Sequence, residues 1–220
     1  MDNQPINAII FDMDGTMVDN MDIHNQTWID YLREAGAQPD PLTFNDQTAG
    51  KTTPEIVRLF LGSHLSGEEV KAFSEEKEAR YRRRVRKGIQ ALPGLIDFLH
   101  TARGQGMKLG VATSAPPDNV KIVLDSLGLS GFFDVVVNGE EITKGKPDPE
   151  IVLTAAARLN VPPERCLVFE DSRLGVEAAL RAGMRVIVVT TSMTPEQAWE
   201  IPGVCMVIKD FSQVPLAEFQ

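Results

Sequence analysis

Cysteine is scarce in this chain: among 220 residues there are two, Cys166 and Cys205, and both lie in apolar segments. That count excludes the disulfide framework of a small secreted domain. Single cysteines in apolar stretches are expected to behave as small buried hydrophobes, and unpaired thiols agree with a cytoplasmic address. No apolar run approaches the length needed to span a bilayer, so no membrane partner is expected. The first residues, Met-Asp-Asn-Gln-Pro, carry no basic region and lead straight into an apolar stretch, which argues against a signal peptide. Basic charge is also short: 22 Lys and Arg stand against 31 Asp and Glu, a net charge of −9. Such a balance argues against non-specific nucleic-acid binding. It also means that an anionic ligand must be drawn by local cations and not by the global field. There is no internal repeat and no low-complexity linker. What remains is ordinary for a globular protein, with 43% apolar and 24% charged residues, long enough for one large domain or a core with an insert.

The most informative stretch is Asp12-Met13-Asp14-Gly15-Thr16, which follows directly on Ala8-Ile9-Ile10-Phe11. Four apolar residues ended by Asp read as a fully buried strand that stops at a polar edge. In open parallel sheets, ligands bind just beyond the carboxyl ends of the strands. Two carboxylates so close repel, which raises one pKa unless a cation sits between them. Mg²⁺ suits that position, because it takes carboxylate, water and phosphate oxygens in an octahedral shell. One Asp can then act as nucleophile while its neighbour moves protons. A solvated Asp/Gly turn would have the same residues, so the pattern needs support from elsewhere.

Three further signals sit at the ends of apolar runs or just before a helix. Leu109-Gly110-Val111-Ala112 is followed by Thr113-Ser114, whose hydroxyls and following N–H groups suit a phosphate. Lys144-Gly145-Lys146-Pro147-Asp148-Pro149 puts a lysine on a loop held by glycine and two prolines. Cys166-Leu167-Val168-Phe169 ends in Glu170-Asp171, a second acidic pair. Singly, each has a plain explanation: a helix cap, a solvated charge, or the acidic start of a helix.

All four in this order resemble the haloacid dehalogenase-like superfamily, in its branch of phosphatases and β-phosphoglucomutase-like proteins. The resemblance covers essentially the whole chain. It implies that Asp12 is the nucleophile and a Mg²⁺ ligand. It makes Asp14 the general acid/base, with its backbone carbonyl on the metal. Thr113, Ser114 and Lys146 would then hold the transferring phosphoryl group, and Glu170 and Asp171 would complete the metal site, Asp171 being the safer ligand. The dehalogenases of this superfamily lack the second Asp and the metal, so Asp14 points to phosphate chemistry.

Downstream of residue 94 the chain alternates helical and strand-like segments. Helices are expected near 94–103, 119–127, 149–159 and 174–182, and strands at 108–112, 134–137, 166–169, 185–190 and 204–208. This alternation predicts an α/β fold with a parallel sheet and helices on both faces, doubly wound and Rossmann-like. Residues 19–87 have no strand-like run and read as several helices. They are expected to form a helical cap, for substrate specificity, inserted into a core of residues 1–18 and 88–220.

Within that insert, residues 75–87 carry the one dense basic cluster, EEKEARYRRRVRK. Glu76 with Arg80 and Glu78 with Arg82 have the i,i+4 order of an exposed helix, although Lys77 and some arginines facing a cleft would attract phosphate. Lys77 and Tyr81 resemble a Lys-x-x-x-Tyr pair of the β-phosphoglucomutase cap. His24 and Trp28, spaced i,i+4, share a helix face; the resemblance places both over the mutase active site, while Trp28 as cap core and His24 as its satisfied partner is the alternative. Gly50-Lys51-Thr52-Thr53 matches the specificity loop of the cap, but the mutase has a basic residue before this Gly and an Arg three residues after it. This chain has Ala49 and Thr53 there, and a nearby Lys51 does not reproduce the fork of an arginine. Together with Thr16, which resembles the phosphatases, these departures favour phosphomonoester hydrolysis over a mutase. The expected partner is a small phosphorylated metabolite, with the chain a monomer or weak homo-oligomer. A non-enzymatic sensor of phosphorylated metabolites would show damage in the acid/base set, yet Asp12, Asp14, Lys146 and Asp171 are all present.

Overall fold

The computed structural model describes residues 5–48, 53–86 and 88–215. Strand β1 (Ala8–Phe11) is followed by four helices, α1 (Met21–Glu34), α2 (Phe44–Thr48), α3 (Thr53–Leu61) and α4 (Gly67–Val85). Then come α5 (Leu95–Gly104), β2 (Lys108–Ala112), α6 (Pro117–Ser126), β3 (Val135–Val137) and α7 (Glu150–Leu159). The chain continues through β4 (Cys166–Glu170), α8 (Arg173–Arg181), β5 (Arg185–Val189), α9 (Pro195–Trp199) and β6 (Met206–Ile208). It divides into two compact units, Met1–Asp19 with Ile89–Gln220, and Asn20–Gly88.

In the larger unit all six strands are parallel, in the order β3-β2-β1-β4-β5-β6. The order runs outward from β1 in both directions, which makes the ends of β1 and its neighbours a topological switch point. The strand interiors are apolar because both faces are covered, with Lys108 and Arg185 at strand starts and Glu170 at the end of β4. Successive side chains of β1 point to opposite sides. Ile9 and Phe11 join one core with Leu95, Phe98 and Leu99 of α5 and Val120, Val123 and Leu124 of α6. Ala8 and Ile10 join the other, with Ile151, Ala155 and Leu159 of α7, Val176 and Ala179 of α8 and Ala198 of α9. Gly110 in β2 lets α7 close in, since a Cβ there would lie 3.2 Å from Leu159 Cδ1.

The smaller unit is helical. Trp28, Ile29, Leu32, Phe44, Ile56, Val57 and Val70 form its buried core. Helix α4 begins at a capping box in which Ser66 Oγ accepts from Glu69 N at 3.2 Å and Glu69 Oε2 accepts from Ser66 N at 2.8 Å. Its basic residues are tied down inside the unit. Arg80 reaches Glu34 (2.6 Å) and Glu76 (2.9 Å) and lies over the Tyr31 ring, Arg83 reaches Glu76 (2.8 Å), and Arg84 pairs with Asp30. Among the described residues no helix is long and apolar enough to cross a membrane.

The structure departs from the sequence expectations in two places. Helix α9 falls in a stretch for which no element is expected, although its capping box of Thr194 and Gln197 is written in Thr-Pro-Glu-Gln. Cys205 is exposed, not buried: its N–H donates to Val186 O at 2.9 Å, which holds the backbone beside β5 and leaves the side chain outside. Cys166 is buried, and both thiols are free.

The aromatic centre of the first core is Phe11, fully buried, stacked on Phe169 at 5.2 Å and edge-on to Phe98 and Phe133. Phe11→Ala is expected to cost about 3–5 kcal/mol, measured by chemical denaturation. A loss under about 1 kcal/mol would mean that this core collapses freely around the deletion.

Candidate active site

The register of the sheet brings distant residues of the sequence to one edge. Phe11 lies between Val111 of β2 and Phe169 of β4, and Asp12 N donates to Phe169 O at 3.0 Å. Asp12 therefore emerges beside Glu170 on one side and the Thr113 turn on the other. The chain then turns tightly: Met17 N donates to Met13 O at 2.9 Å and Gly15 N to Val18 O at 2.8 Å. Gly15 has φ +83°, and a Cβ on it would lie 2.1 Å from Asp171 Oδ2. Glycine is needed there both for the left-handed backbone and for the space that a carboxylate takes. Asp14 sits half-buried on this turn, bridged to Val18.

Lys146 enters the same point from a stapled loop. The Glu150 carboxylate, at the start of α7, accepts from Thr143 N (3.0 Å), Thr143 Oγ1 (2.9 Å) and Lys144 N (2.8 Å). Arg181 donates to Pro147 O at 3.0 Å. So held, the largely enclosed Lys146 Nζ donates to Asp12 Oδ1 at 2.7 Å and also to Glu170 Oε1. Burial lowers its proton affinity, but the Asp12 and Glu170 charges outweigh that and hold it above the ordinary lysine range.

The two acidic neighbours at the end of β4 have different surroundings. Glu170 Oε2 accepts from Asp171 N (2.9 Å), Ser172 N (2.9 Å) and Ser172 Oγ (3.0 Å), at the N-terminus of α8. Gly175 makes room for it, since a Cβ there would lie 1.7 Å from Glu170 Oε1. Asp171 instead takes hydroxyl donors, Thr16 Oγ1 at 3.1 Å on Oδ1 and Ser192 Oγ on Oδ2. Burial and the Glu170 charge push its pKa up to about 7, against those two hydrogen bonds and Lys146. Asp12 is pushed well above the carboxylate range by burial, which the Lys146 charge only partly offsets.

Thr113, buried at the end of β2, accepts from Ala115 N at 3.1 Å through its hydroxyl oxygen, which leaves the hydroxyl proton to donate elsewhere. Ser114 follows on the same turn, packed against Gly139. In the helical unit, His24, Trp28 and Lys77 come together. The buried Lys77 Nζ lies 3.0 Å from His24 Nδ1, 2.7 Å from Glu78 Oε1 and 5.1 Å from the centre of the Trp28 ring, and His24 stacks on Tyr81 at 3.8 Å. Gly50 and Lys51 lie outside the described residues.

Sequence reasoning missed Glu150, Gly175, Thr191 and Ser192, and with them the hydrogen bond from Thr16 to Asp171. Gly175 and Glu150 carry a weak signal, a glycine and an acid in a helix's first turn. Ser192 carries none, because nothing local separates it from any loop serine.

The donor set suits a divalent cation. Asp12, Glu170 and Asp171 offer carboxylate oxygens within 4.8 Å of one another. With Lys146 as their one close ammonium among the described residues, full ionisation leaves two uncompensated negative charges, the condition that raises the carboxyl pKa values. All-oxygen donors match Mg²⁺ or a similar hard ion. Glu170 Oε2 takes three donors, whereas Asp12 Oδ1 and each oxygen of Asp171 take one, so Asp12 and Asp171 keep more lone-pair capacity for a metal.

A parallel sheet with an acidic, lysine-bridged cluster at its switch point defines a class of phosphate-handling hydrolases. The family model described as haloacid dehalogenase-like hydrolase matches residues 9–189. The chain belongs to that family. It is 32% identical over 205 residues to the phosphorylated carbohydrates phosphatase of Thermotoga maritima, covering 92% of this chain and 94% of that protein. Among solved structures it is similar to a HAD hydrolase, family IA, variant 3, from Entamoeba histolytica, with a TM-score of 0.92, 28% identity and 97% of both chains covered. It is also similar to a β-phosphoglucomutase from Clostridium difficile, with a TM-score of 0.82, 28% identity, and 95% of this chain and 93% of that one covered.

Raised carboxyl pKa values have a consequence for stability. Between the unperturbed value of 3.8 and about 7, Asp171 binds more protons in the folded, metal-free protein than in the unfolded chain, so its contribution to stability falls as pH rises across that window. In the presence of a chelator, the melting temperature is expected to drop from about pH 5 to about pH 7.5, and Asp171→Asn should flatten the drop. Scanning fluorimetry across a pH series measures this. A wild-type profile as flat as that of the variant would mean that Asp171 ionises without penalty.

Proposed function

We propose that this protein is a Mg²⁺-dependent phosphomonoester hydrolase acting on a small phosphorylated metabolite, a sugar phosphate by preference, through an aspartyl-phosphate. The observation that carries the reading is the buried Asp12–Lys146–Glu170 contact with Asp171 beside it, at the switch point of the sheet. The phosphatase from Thermotoga maritima supports the substrate class.

In this reading Asp12 attacks phosphorus in line with the leaving oxygen, and Asp14 gives that oxygen a proton. Lys146 and the Thr113 and Ser114 donors neutralise the equatorial oxygens, where the charge of phosphoryl transfer collects. Asp14 then takes a proton from the water that hydrolyses the acyl phosphate, which regenerates the Asp12 carboxylate. Asp12, Asp171, Glu170 and the Asp14 carbonyl would hold the Mg²⁺, which supplies positive charge to the transferring group. The unit of residues 20–88 acts as the cap that selects the substrate, with His24, Trp28, Lys77, Gly50 and Lys51 as its contributors. A cytoplasmic enzyme working on soluble metabolites fits this chemistry.

Asp12→Asn should lower phosphate release by roughly 1,000-fold or more, because the nucleophile is lost while the shape is kept. Circular dichroism should show an unchanged fold, while the melting temperature shifts with the charge removed from the cluster. A colorimetric phosphate assay over a panel of phosphorylated sugars, glycolate-like acids and nucleotides measures the rate, and EDTA should stop it reversibly. Turnover that survives either change rules out the mechanism.

Similarity to a β-phosphoglucomutase makes phosphoryl return the reading to test against hydrolysis. Thr53, the first residue of α3, stands where the mutase pattern has an arginine for the second phosphate. With β-glucose 1-phosphate and a trace of the 1,6-bisphosphate, phosphorus NMR should therefore show inorganic phosphate as the main product. Rapid, stoichiometric glucose 6-phosphate would make the protein a mutase.

A further inference from the structure

We infer that Thr191 and Ser192, on the loop that follows β5, are positioning residues that hold Asp171 and the Gly15 turn in the geometry required to bind Mg²⁺. The inference rests on the metal reading above and adds a fifth segment of the chain to the four that carry the sequence signals.

Asp171 is held from three sides. Thr16, on the turn after β1, donates to its Oδ1, and Ser192 donates to its Oδ2. The Cα of Gly15 closes the third side, since a side chain there would collide with Oδ2. Thr191 completes the arrangement by donating its hydroxyl to Gly15 O. Two consecutive hydroxyl residues thus grip two partners, 21 and 176 positions away in sequence: Ser192 grips the carboxylate, and Thr191 grips the turn against which that carboxylate packs. Both belong to the same compact unit as the rest of the cluster.

The loop is a firm support for this work. At one end Thr190 N donates to Ile208 O at 2.9 Å and Thr190 Oγ1 to the same oxygen at 3.2 Å, tying it to β6. At the other end Thr194 caps α9, with Gln197 N on its Oγ1 at 3.3 Å and its own N–H on Gln197 Oε1 at 3.0 Å. A ligand side chain is placed well only when its supports are themselves fixed. Hydroxyls that orient a ligating carboxylate from the next shell outward commonly control metal affinity by one to two orders of magnitude. Ser192 is solvent-exposed as a residue, so trimming it to Ala opens no cavity.

Isothermal titration of metal-free protein with MgCl₂ tests the inference without recourse to turnover. Ser192→Ala and Thr191→Val should each weaken Mg²⁺ binding by about 10- to 100-fold. Ser192→Thr, which keeps the hydroxyl, should bind within a fewfold of wild type. Ser126→Ala, which removes an exposed helix hydroxyl bonded to Ile122 O, should bind as wild type does. Melting temperatures without Mg²⁺ should fall by no more than a few degrees in Ser192→Ala and Thr191→Val, as the loss of one hydrogen bond predicts, which separates positioning from general destabilisation. In turnover, the half-activating Mg²⁺ concentration should rise with the dissociation constant, while KM for the phosphorylated substrate at saturating Mg²⁺ stays unchanged. Wild-type Mg²⁺ affinity in both Ser192→Ala and Thr191→Val overturns the inference and leaves the metal reading standing. A wild-type protein that takes up no Mg²⁺ overturns the metal reading, and the inference with it. If Ser192→Ala does not fold, Thr191→Val with unchanged affinity is by itself the contrary result.

Discussion

Lys146 sits between Asp12 and Glu170 in a largely enclosed position, with Asp171 close behind, and the strand-end geometry of the larger unit serves that arrangement. Three carboxylates cannot ionise together around one ammonium in a medium that screens them poorly. The fold manages the excess in two ways. It surrounds Glu170 and Asp171 with N–H and O–H donors, and it leaves Asp12 and Asp171 with raised proton affinities. A divalent cation is the natural third way, which makes the electrostatic strain of the site and its chemistry one matter.

The demands of that cluster reach outward through backbone geometry. Gly15 and Gly175 are small because carboxylate oxygens occupy the space a Cβ would need. The lysine loop is stapled by Glu150 and Arg181, because a flexible Lys146 would lose side-chain entropy each time it met its partners. The turn after β1 is closed by its own hydrogen bonds and by Thr191. None of these residues needs to touch a substrate for the site to depend on it.

The helical unit handles charge differently. Its surface arginines are paired with acids of α1 and α4, and each such pair contributes little. Lys77 is the exception: it is buried, against Glu78, His24 and the Trp28 face. In a run of basic residues the sequence cannot tell the one enclosed ammonium from the exposed ones, because helical spacing alone does not say which face the neighbouring helices cover.

Strand positions, the two-sided covering of the sheet and the residues at the strand ends were legible in the chain itself. Buried parallel strands must be apolar without a break, so each polar residue that ends such a run stands out: Asp12 after Phe11, Thr113 after Ala112, and Glu170 after Phe169. Helix α9 was missed because five residues are too few to show a period, and Cys205 was misread because an apolar neighbourhood in sequence is not a buried one in space. The order of the strands, the meeting of Asp12 with Lys146 over 134 positions, and the hold of Ser192 and Thr16 on Asp171 came only with the tertiary structure. Local sequence carries the periodicities that follow from burial and backbone geometry. Which strand lies beside which, and which loop hydroxyl meets which carboxylate, depends on register and crossover connections, and these are decided by packing across the whole sheet.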